Sequence, residues 1–472
     1  MAYPTFPAPA DVRNDGHRRV RSTALAGLAL LLATPAVAAP NWSAPIQSVA
    51  TGHSPLAIWH RPQLVSGSLE DRSGAIALDD AGNASSVCNS INNSGAYPVE
   101  ASILPASGAW KAPVELQVQA DPYLDYRPPI VRSTATGEMT AVWTNAKGIW
   151  ASEKRPGQVW SAPIQIGPGL SGGSRYEVVR MVFAMNRSGA AVVAWSDARN
   201  SHTYPLYAVT RPAGGSWSAY QIVVPANFGL VADSVAVGAN GAMIIAWERN
   251  LTNGVALYAS RAVAPGASWV TSPQILPPQN GYFKASVAVD AAGDAGIVAV
   301  VSEGIGRIVA LNQPGAGAPW SSPVRIVAGD YELLTPVLSD DAGNATVLTL
   351  PVNDLSLLAI EGSIVTNHWS AKLPIVAARY GTGISALAVA ANGKAVVCTS
   401  IANDASGYTS SIAALTRSSP AGSWTAAVPL SGASPYNYVT DVATNPAGQA
   451  VCTWIKELNQ APTTSLYANT FR

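Results

Sequence analysis

Charged residues, histidine and cysteine are all scarce in this sequence. Only 12% of the residues are charged, and 28 Lys and Arg balance 28 Asp and Glu, so no overall field favours nucleic acid or a membrane surface. Downstream of the N-terminal region no apolar run is long enough to span a membrane. The three cysteines and five histidines show no metal-ligand spacing, and no catalytic-triad, phosphate-binding or dinucleotide-binding motif occurs, so we assign no metal and expect no cofactor.

Glycine and proline, with 40 and 35 residues, are abundant instead. Such a composition is typical of many short, tightly turned strands, so we expect an all-β protein. The stretch from Asp233 to Leu276 shows the pattern most clearly, because four apolar runs with a period of two are separated by breaks rich in Gly, Asn and Pro. It predicts one four-stranded antiparallel meander.

The same unit recurs along the chain and carries two landmarks. A turn glycine separates the first two runs, with Asp or Asn nearby in most copies, and supplies the positive φ that a tight hairpin needs. Successive glycines are 55, 52, 52, 52, 50, 50 and 55 residues apart. They are Gly82, Gly137, Gly189, Gly241, Gly293, Gly343, Gly393 and Gly448. A tryptophan opens the last run of each unit: Trp42, Trp110, Trp160, Trp217, Trp269, Trp320, Trp369 and Trp424.

The tryptophan strands are expected at the outer edges of their sheets. Most of these tryptophans are followed within five residues by proline, which cannot donate to a sheet ladder. The first tryptophan precedes the first glycine, and the last unit has no tryptophan strand of its own. If the strand around Trp42 completes the last sheet, eight sheets close a ring. We therefore predict an eight-bladed β-propeller over residues 39–472, as a monomer, with seven blades as the alternative.

The N-terminal region predicts a secretory signal peptide over residues 1–38. A basic run at 17–21 precedes an apolar stretch at 23–33 that is too short to span a membrane, and a small-x-small site follows at 36–38. Export would make the protein secreted or periplasmic.

Three cysteines are an odd number for an exported chain. Cys88, Cys398 and Cys452 lie on the same strand of their respective units. Neighbouring sheets are about 10 Å apart, which is too wide for a disulfide. We therefore expect three buried thiols.

The segments before the tryptophans resemble a known turn. RPAGGSW at 211–217 and LPASGAW at 104–110 are similar to the Asp-boxes, S-x-D-x-G-x-T-W, of sialidase-like β-propellers, and the resemblance spans all eight units although most copies lack the aspartate. It implies the propeller fold. It implies no activity, because that turn is structural in the family and lies away from its active face, and the family's catalytic residues cannot be matched here residue by residue.

Aromatic residues recur in the loops that join consecutive blades. The glycine turns and Asp-box-like turns occupy the opposite face of the ring, so these variable loops are where function is expected. A ring that carries a hydroxyl suits the C–H face and hydroxyl rim of a sugar, while the alternative is that each ring packs between blades. The candidate ligand-binding residues are Tyr126, Tyr176, Tyr282, Phe283, Tyr331, Tyr380 and Tyr436, together with Lys284.

Basic residues collect at or just before the innermost strands of three blades. They are Arg127, Arg132, Arg175, Arg180 and Lys284, which would converge at the mouth of the central channel, where they favour an anionic group. Two glutamates, Glu248 and Glu303, follow the second strands of their blades and could face each other across the channel. The alternative for the basic residues is a set of salt bridges to acids of the same rim, namely Asp125, Asp233, Asp330 and Glu332.

A third cluster lies in the loop at 197–204. His202 and Tyr204 could abstract a proton while Arg180 and Arg127 neutralise a uronate, as in a polysaccharide lyase; the alternative is a solvated polar loop. We predict glycan or surface binding through the aromatic loops without catalysis. The alternative is a lyase or glycosidase that acts on an acidic polysaccharide. The expected partner is a glycan and not nucleic acid.

Overall fold

The computed structural model describes most of the chain from Trp59 to Arg472, within a compact unit that begins at Ala57. The predicted signal peptide, the start of the propeller at residue 39 and the strand around Trp42 lie outside the described residues. Those are 59–61, 63–66, 70–91, 97–119, 128–145, 147–168, 180–196, 204–227, 229–279, 283–303, 305–327, 331–333, 335–351, 356–377, 382–406, 409–420, 422–435, 437–457 and 464–472.

These residues form 36 strands and no helix, so no described helix has the length and hydropathy to cross a membrane. In chain order the strands are β1 (Gln63–Ser66), β2 (Glu70–Leu78), β3 (Ala84–Ile91), β4 (Tyr97–Leu104), β5 (Val114–Gln119), β6 (Ile130–Ser133), β7 (Met139–Asn145), β8 (Gly148–Lys154), β9 (Ile164–Gly167), β10 (Arg180–Met185), β11 (Ala191–Ser196), β12 (Tyr204–Arg211), β13 (Gln221–Asn227), β14 (Leu230–Val237), β15 (Met243–Leu251), β16 (Gly254–Ala262), β17 (Val270–Thr271), β18 (Leu276–Gln279), β19 (Phe283–Val289), β20 (Ala295–Glu303), β21 (Ile305–Gln313), β22 (Val324–Val327), β23 (Tyr331–Leu333), β24 (Leu338–Ser339), β25 (Asn344–Pro351), β26 (Leu357–Ser363), β27 (His368–Trp369), β28 (Leu373–Val376), β29 (Thr382–Val389), β30 (Ala395–Ala402), β31 (Thr409–Arg417), β32 (Val428–Pro429), β33 (Ser434–Pro435), β34 (Asn437–Thr444), β35 (Ala450–Glu457) and β36 (Thr464–Phe471).

The described strands form eight four-stranded antiparallel blades in a ring, so the predicted eight-bladed β-propeller is confirmed. Blades 1 to 3 are β2–β5, β6–β9 and β10–β13, each running from the inner to the outer strand. Blades 4 to 7 are β14–β18, β19–β22, β23–β28 and β29–β33, where some inner or outer strands are broken in two. Blade 8 is β34–β36 completed by β1.

The turn glycines have the predicted conformation. All eight have positive φ, from 79° at Gly343 to 96° at Gly189. Polar side chains then fasten the turns to each other. Asn186 Oδ1 accepts from Ala190 N at 2.9 Å within its own turn, and Asn186 Nδ2 donates to Gly238 O of the next blade at 2.8 Å. The glycine-turn face is therefore occupied by structural contacts.

Buried arginines also join neighbouring blades at two of the Asp-box-like turns. Arg211 ends β12, is 0% exposed, and its guanidinium pairs with Glu138 at 3.0 Å and with Glu153 of the preceding blade. The guanidinium carbon lies 5.5 Å from the centre of the Trp217 ring, and Trp217 Nε1 donates to Glu153 Oε1 at 3.0 Å. The arrangement recurs in blade 7, which uses Arg417, Glu361 and Trp424. Each tryptophan is thereby fixed to the neighbouring blade.

The ring closes with a different tryptophan from the one predicted. The outer strand of blade 8 is β1, which pairs with β36, and Trp59 lies before it with its ring centre 5.3 Å from that of Phe471. Trp59 precedes Gly82 by 23 residues, just as Trp320 precedes Gly343 by 23, whereas Trp42 precedes Gly82 by 40. The prediction that the Trp42 segment supplies this strand is therefore wrong, although an N-terminal strand does complete the last blade.

The cysteines also differ from the prediction. Cys398 of β30 and Cys452 of β35 form a disulfide between blades 7 and 8, with their Cα atoms 6.3 Å apart, while Cys88 is buried. The spacing of about 10 Å holds for sheets stacked face to face. Blades splay outward from an axis, so their second strands, which lie close to the axis, approach more closely than their outer strands.

The core lies between the blades. In four blades an aromatic residue of the second strand is directly opposite one of the third strand, and each second-strand tryptophan is at most 2% exposed. The pairs are Trp143 with Trp150, Trp195 with Tyr207, Trp247 with Tyr258, and Trp454 with Tyr467. Aromatic rings thus fill the wedge between blades. The sequence offered this packing role as the alternative for the loop aromatics, but these rings belong to the second and third strands.

Candidate functional site

A cavity of about 500 Å³ opens along the central channel, lined by the innermost strands of blades 2 to 6. Its described lining carries the basic residues Arg132, Arg180 and Lys284 and one acidic residue, Asp233. Arg180 and Lys284 stand at the beginnings of β10 and β19, so they lie towards the face of the inter-blade loops. Of the five predicted basic residues, three therefore line one cavity, and two of these lie at its mouth. Arg127 and Arg175 lie outside the described residues.

Asp233 owes its position to a β-bulge in blade 4. The ladder between β14 and β15 pairs Ala232 with Trp247 and Ser234 with Ala246, so Asp233 is an extra residue with no partner. Bulges of this kind redirect a side chain. The Asp233 carboxyl contacts that of Glu248 on the adjacent strand, and the two residues are only 9% and 6% exposed.

The two carboxyl groups are poorly satisfied. Neither oxygen of Asp233, nor Oε1 of Glu248, receives a hydrogen bond of ordinary geometry from a described donor. Two carboxylates offer only acceptors, so a hydrogen bond between them needs a proton on one of them. The contact therefore favours a pair that shares one proton.

The proton affinities of the pair agree with this geometry. Burial, reinforced by the neighbouring Glu248 carboxyl, raises the pKa of Asp233 well above its ordinary value. Burial likewise raises the pKa of Glu248 to about 7, although Arg180 opposes the shift. The pair thus keeps a proton at neutral pH, and Glu248 is the member that ionises near pH 7. A carboxyl group that titrates near pH 7 can both give and take a proton.

Arg180 approaches the carboxyl pair from the neighbouring blade. Its Nη1 lies 3.1 Å from Asp233 Oδ1, and its side chain is 40% exposed whereas that of Asp233 is fully buried. One side of the guanidinium is therefore anchored while the rest faces the channel. Arg180 and Asp233 therefore form one of the salt bridges expected as the alternative. A guanidinium has five N–H donors, so Arg180 can still bind a second group.

Further groups add charge and hydroxyls to the lining. Arg132 lies near the buried Asp441, where burial raises the carboxyl pKa and Arg132 opposes the rise. Ser234 Oγ accepts from Val287 N at 3.1 Å, and Ser286 Oγ accepts from Val337 N at 2.7 Å. Each serine retains its own O–H as a donor. No group of three or more potential ligands for a metal ion occurs among the described residues.

The other predicted site residues divide into three groups. Phe283 is 2% exposed and packs in the core between blades 4 and 5, so it is corrected from a ligand-binding residue to a packing residue. The backbones of Tyr204 and Tyr331 begin β12 and β23, but their side chains lie outside the described part of the structure. Tyr126, Arg127, Tyr176, His202, Tyr282, Tyr380 and Tyr436 lie outside the described residues altogether.

The Asp233–Glu248 contact is the feature that the sequence did not reveal. Glu248 was expected to face Glu303, whose side chain is not among those described, and Asp233 was expected only as a salt-bridge partner. The sequence feature that could have indicated this contact is Asp233 itself, because an acid in a mostly apolar inner strand is seldom buried without a partner.

No protein-family model matches the sequence, and no curated protein matches it either. Solved structures do resemble the chain. A polysaccharide lyase is 8% identical, with 88% of this chain and 99% of that one covered and a TM-score of 0.47. A Hadza microbial sialidase is 11% identical, with 87% and 94% covered and a TM-score of 0.39. A fucose-specific lectin from Aleuria aurantia is 11% identical, with 62% and 95% covered and a TM-score of 0.35.

These three neighbours are named for carbohydrates that they bind or process. Their identities and TM-scores are low, so neither a ligand nor a reaction of this chain follows from them.

Proposed function

We propose that this propeller binds an acidic carbohydrate at the loop-side mouth of its channel. Arg180 carries the proposal, since its guanidinium is held beside the buried Asp233 carboxyl group while its side chain is still 40% exposed and lines the cavity. A guanidinium held in this way is pre-organised for a second oxyanion, such as a uronate carboxylate or a sulfate. Lys284 and Arg132 add positive charge to the same lining.

The remaining lining suits a sugar better than a bare anion. Hydroxyls of Ser234 and Ser286 and aliphatic side chains alternate along the channel wall. Sugars present the same mixture of hydroxyls and C–H faces, and ligand sites commonly combine an apolar wall with a few directed polar groups. The tyrosines of the inter-blade loops, predicted on this face, would add stacking surfaces.

Affinity electrophoresis tests the proposal. The protein is run through gels that contain polygalacturonate, dextran sulfate or neutral dextran, and retardation is expected in the acidic gels only. Arg180→Met should lose most of that retardation while its melting temperature shows that it still folds. Arg187→Met is the matched control, because Arg187 is 39% exposed and paired with Asp80 on the opposite, glycine-turn face.

Unchanged retardation of the Arg180→Met variant, or equal loss in the two variants, would contradict the proposed site. The first result would place binding elsewhere, and the second would reduce it to general charge attraction. Raising the salt concentration should weaken the specific retardation only gradually, since the anchored guanidinium is less screened than a fully exposed charge.

A second candidate is catalysis on the same acidic carbohydrate. The observation that favours it is Glu248, which is buried beside Asp233 and whose pKa is raised to about 7. A proton donor or acceptor of that strength is what β-elimination of a uronate requires, with Arg180 neutralising the carboxylate. A glycosidase is less favoured, because its two carboxyl groups stand about 5 to 9.5 Å apart rather than in contact.

Ultraviolet absorbance of the unsaturated product tests this second candidate. Polyuronates of several kinds are incubated with the wild-type protein and with Glu248→Gln. Product that forms with the wild type and is lost in the variant supports catalysis. No product from any polyuronate would leave binding alone, and equal product from both proteins would exclude Glu248 as the catalytic group.

A further inference from the structure

A second cavity of about 430 Å³ lies far from the channel, in the groove between blades 2 and 3. Its two sides are the outer strand of blade 2, from Ile164 to Pro168, and the segment from Ser216 to Tyr220 that opens the outer strand of blade 3. No charged side chain contributes to this lining. The groove therefore differs from the channel mouth in its chemistry as well as in its place.

Tyr220 breaks the repeat at this groove. The third residue after the tryptophan is proline in the units of Trp59, Trp110, Trp160 and Trp320 and a Ser, Lys or Ala in three others, but it is a large aromatic residue only in the unit of Trp217. Proline there protects an edge strand from pairing, and a unit with tyrosine lacks that protection. The Tyr220 side chain is 49% exposed, so about half of the side chain remains open to a ligand.

The Tyr220 ring is nevertheless held in place. Its centre lies 5.7 Å from that of Tyr207 in an edge-on arrangement and 6.3 Å from that of Trp195. Tyr207 in turn stacks on Trp195, which is 1% exposed. Aromatic residues thus run from the core of the blade to the surface and end in an exposed, oriented ring.

The opposite side of the groove offers fixed polar groups. Gln165 Nε2 donates to Lys147 O at 2.8 Å and to Gly167 O at 3.0 Å, which uses both amide hydrogens and leaves Oε1 as an acceptor. At Gly167 an added Cβ would come within 3.1 Å of the Trp195 ring, so a larger residue here would require the ring to shift. Ser216 adds an exposed hydroxyl on the Tyr220 side.

We propose that this groove binds a neutral sugar residue, whose C–H face packs on the Tyr220 ring while its hydroxyls meet Gln165 and Ser216. An uncharged lining excludes a requirement for an acidic or basic ligand. An oriented aromatic ring beside an amide acceptor and a hydroxyl matches the apolar face and polar rim of a pyranose. The site is independent of Arg180 and of the acidic ligand proposed for the channel.

The test uses the complete protein on an array of neutral glucose-, galactose-, mannose-, xylose- and fucose-containing oligosaccharides, followed by calorimetric titration of the best binder. Tyr220→Pro introduces the residue that four other units carry at this position and should keep the melting temperature. It should weaken binding about tenfold or more, because it removes the ring that supplies most of the apolar contact. Tyr220→Ala provides a second variant in case proline disturbs the strand.

Tyr438→Ala is the control for loss of an exposed tyrosine, since Tyr438 is 41% exposed on blade 8. Arg180→Met is the control that separates the groove from the site proposed at the channel mouth. Both should bind the neutral sugar as the wild type does. The proposal is overturned if no neutral sugar binds, or if folded Tyr220→Pro and Tyr220→Ala bind as tightly as the wild type. Loss of binding in Arg180→Met but not in the Tyr220 variants would also overturn it, since the ligand would then occupy the channel mouth.

Discussion

The carboxyl groups of Asp233 and Glu248 lie in contact within blade 4, and Arg180 of blade 3 approaches Asp233 Oδ1 to 3.1 Å. This group of three joins two blades at the channel mouth and holds one proton that a solvated pair would not hold. Its arrangement has measurable consequences for stability and for binding.

Stability should fall as the pH rises from about 4.5 to about 7. The folded protein binds the Glu248 proton up to about pH 7, whereas the unfolded chain releases it near the ordinary value of 4.5. In that interval the folded state holds more protons, so the free energy of unfolding declines by on the order of 1 kcal/mol per pH unit. The raised pKa of Asp233 acts in the same direction, so Glu248→Gln should reduce this decline without abolishing it, as measured by urea unfolding at several pH values.

The control is Glu115→Gln, which changes an exposed glutamate of β5. It should leave the pH profile of the wild type intact. A wild-type stability that rises steadily between pH 4.5 and 7, or a Glu248→Gln profile identical to the wild type, would show that the buried pair does not share a proton.

The disulfide between Cys398 and Cys452 should stabilise the closed ring. Its two cysteines are 54 residues apart, and the entropy of closing such a loop in the unfolded chain corresponds to about 4 kcal/mol. Cys398→Ser should therefore lower the melting temperature, and reduction should lower that of the wild type to a similar extent. Titration of thiols in the denatured, unreduced protein should find one; a count of three would show that the bond does not form.

Closure by β1 predicts a sharp difference between two truncations. A chain that begins at Ala57 retains Trp59 and β1 and should melt cooperatively near the temperature of the full chain. A chain that begins at Gly67 exposes the whole edge of β36 and removes Val65, which is buried and whose carbonyl accepts from Ser102 Oγ at 3.1 Å. It should unfold at a much lower temperature or aggregate. Equal melting of the two chains would contradict closure by this strand.

The buried arginine of blade 3 should be costly to remove. Arg211→Met leaves Glu138 and Glu153 without their cation and Trp217 without its cation–π partner, so we expect a loss of about 3 to 5 kcal/mol. Urea unfolding measures it, with Arg325→Met on an exposed edge as the control. Adding Glu153→Gln to Arg211→Met should cost less than the sum of the two changes. Strict additivity would mean that the residues are not coupled.

The sequence predicted the ring because its two landmarks are local. A glycine with positive φ, such as Gly241, and a tryptophan before an edge proline, such as Trp320, depend on nearby residues and repeat with a regular spacing. Trp42 satisfies the same local pattern as Trp59, since proline is the third residue after each. The distance to the next turn glycine distinguishes the two, and that comparison identifies the closing strand.

The site was less predictable because small shifts of register decide it. Successive residues of a strand face opposite sides, so Phe283 enters the core while its neighbour Lys284 is exposed at the channel. The bulge at Asp233 has no signature in composition or spacing, yet it brings Asp233 into contact with Glu248. Contact between Cys398 and Cys452 likewise depends on how close the blades approach near the axis.

Binding of one defined acidic oligosaccharide tests the proposed function most directly. Calorimetric titration with tetragalacturonate compares the wild type, Arg180→Met and Arg187→Met at pH 6 and pH 8. The wild type and Arg187→Met should bind alike, and Arg180→Met should bind at least about tenfold more weakly, since a charge-assisted contact of roughly 1.5 to 3 kcal/mol is lost. Affinity should also be lower at pH 8, where Glu248 is ionised and adds negative charge beside the site. Equal affinities for the Arg180 and Arg187 variants, or no binding by the wild type, would contradict an acidic-carbohydrate site at the channel mouth.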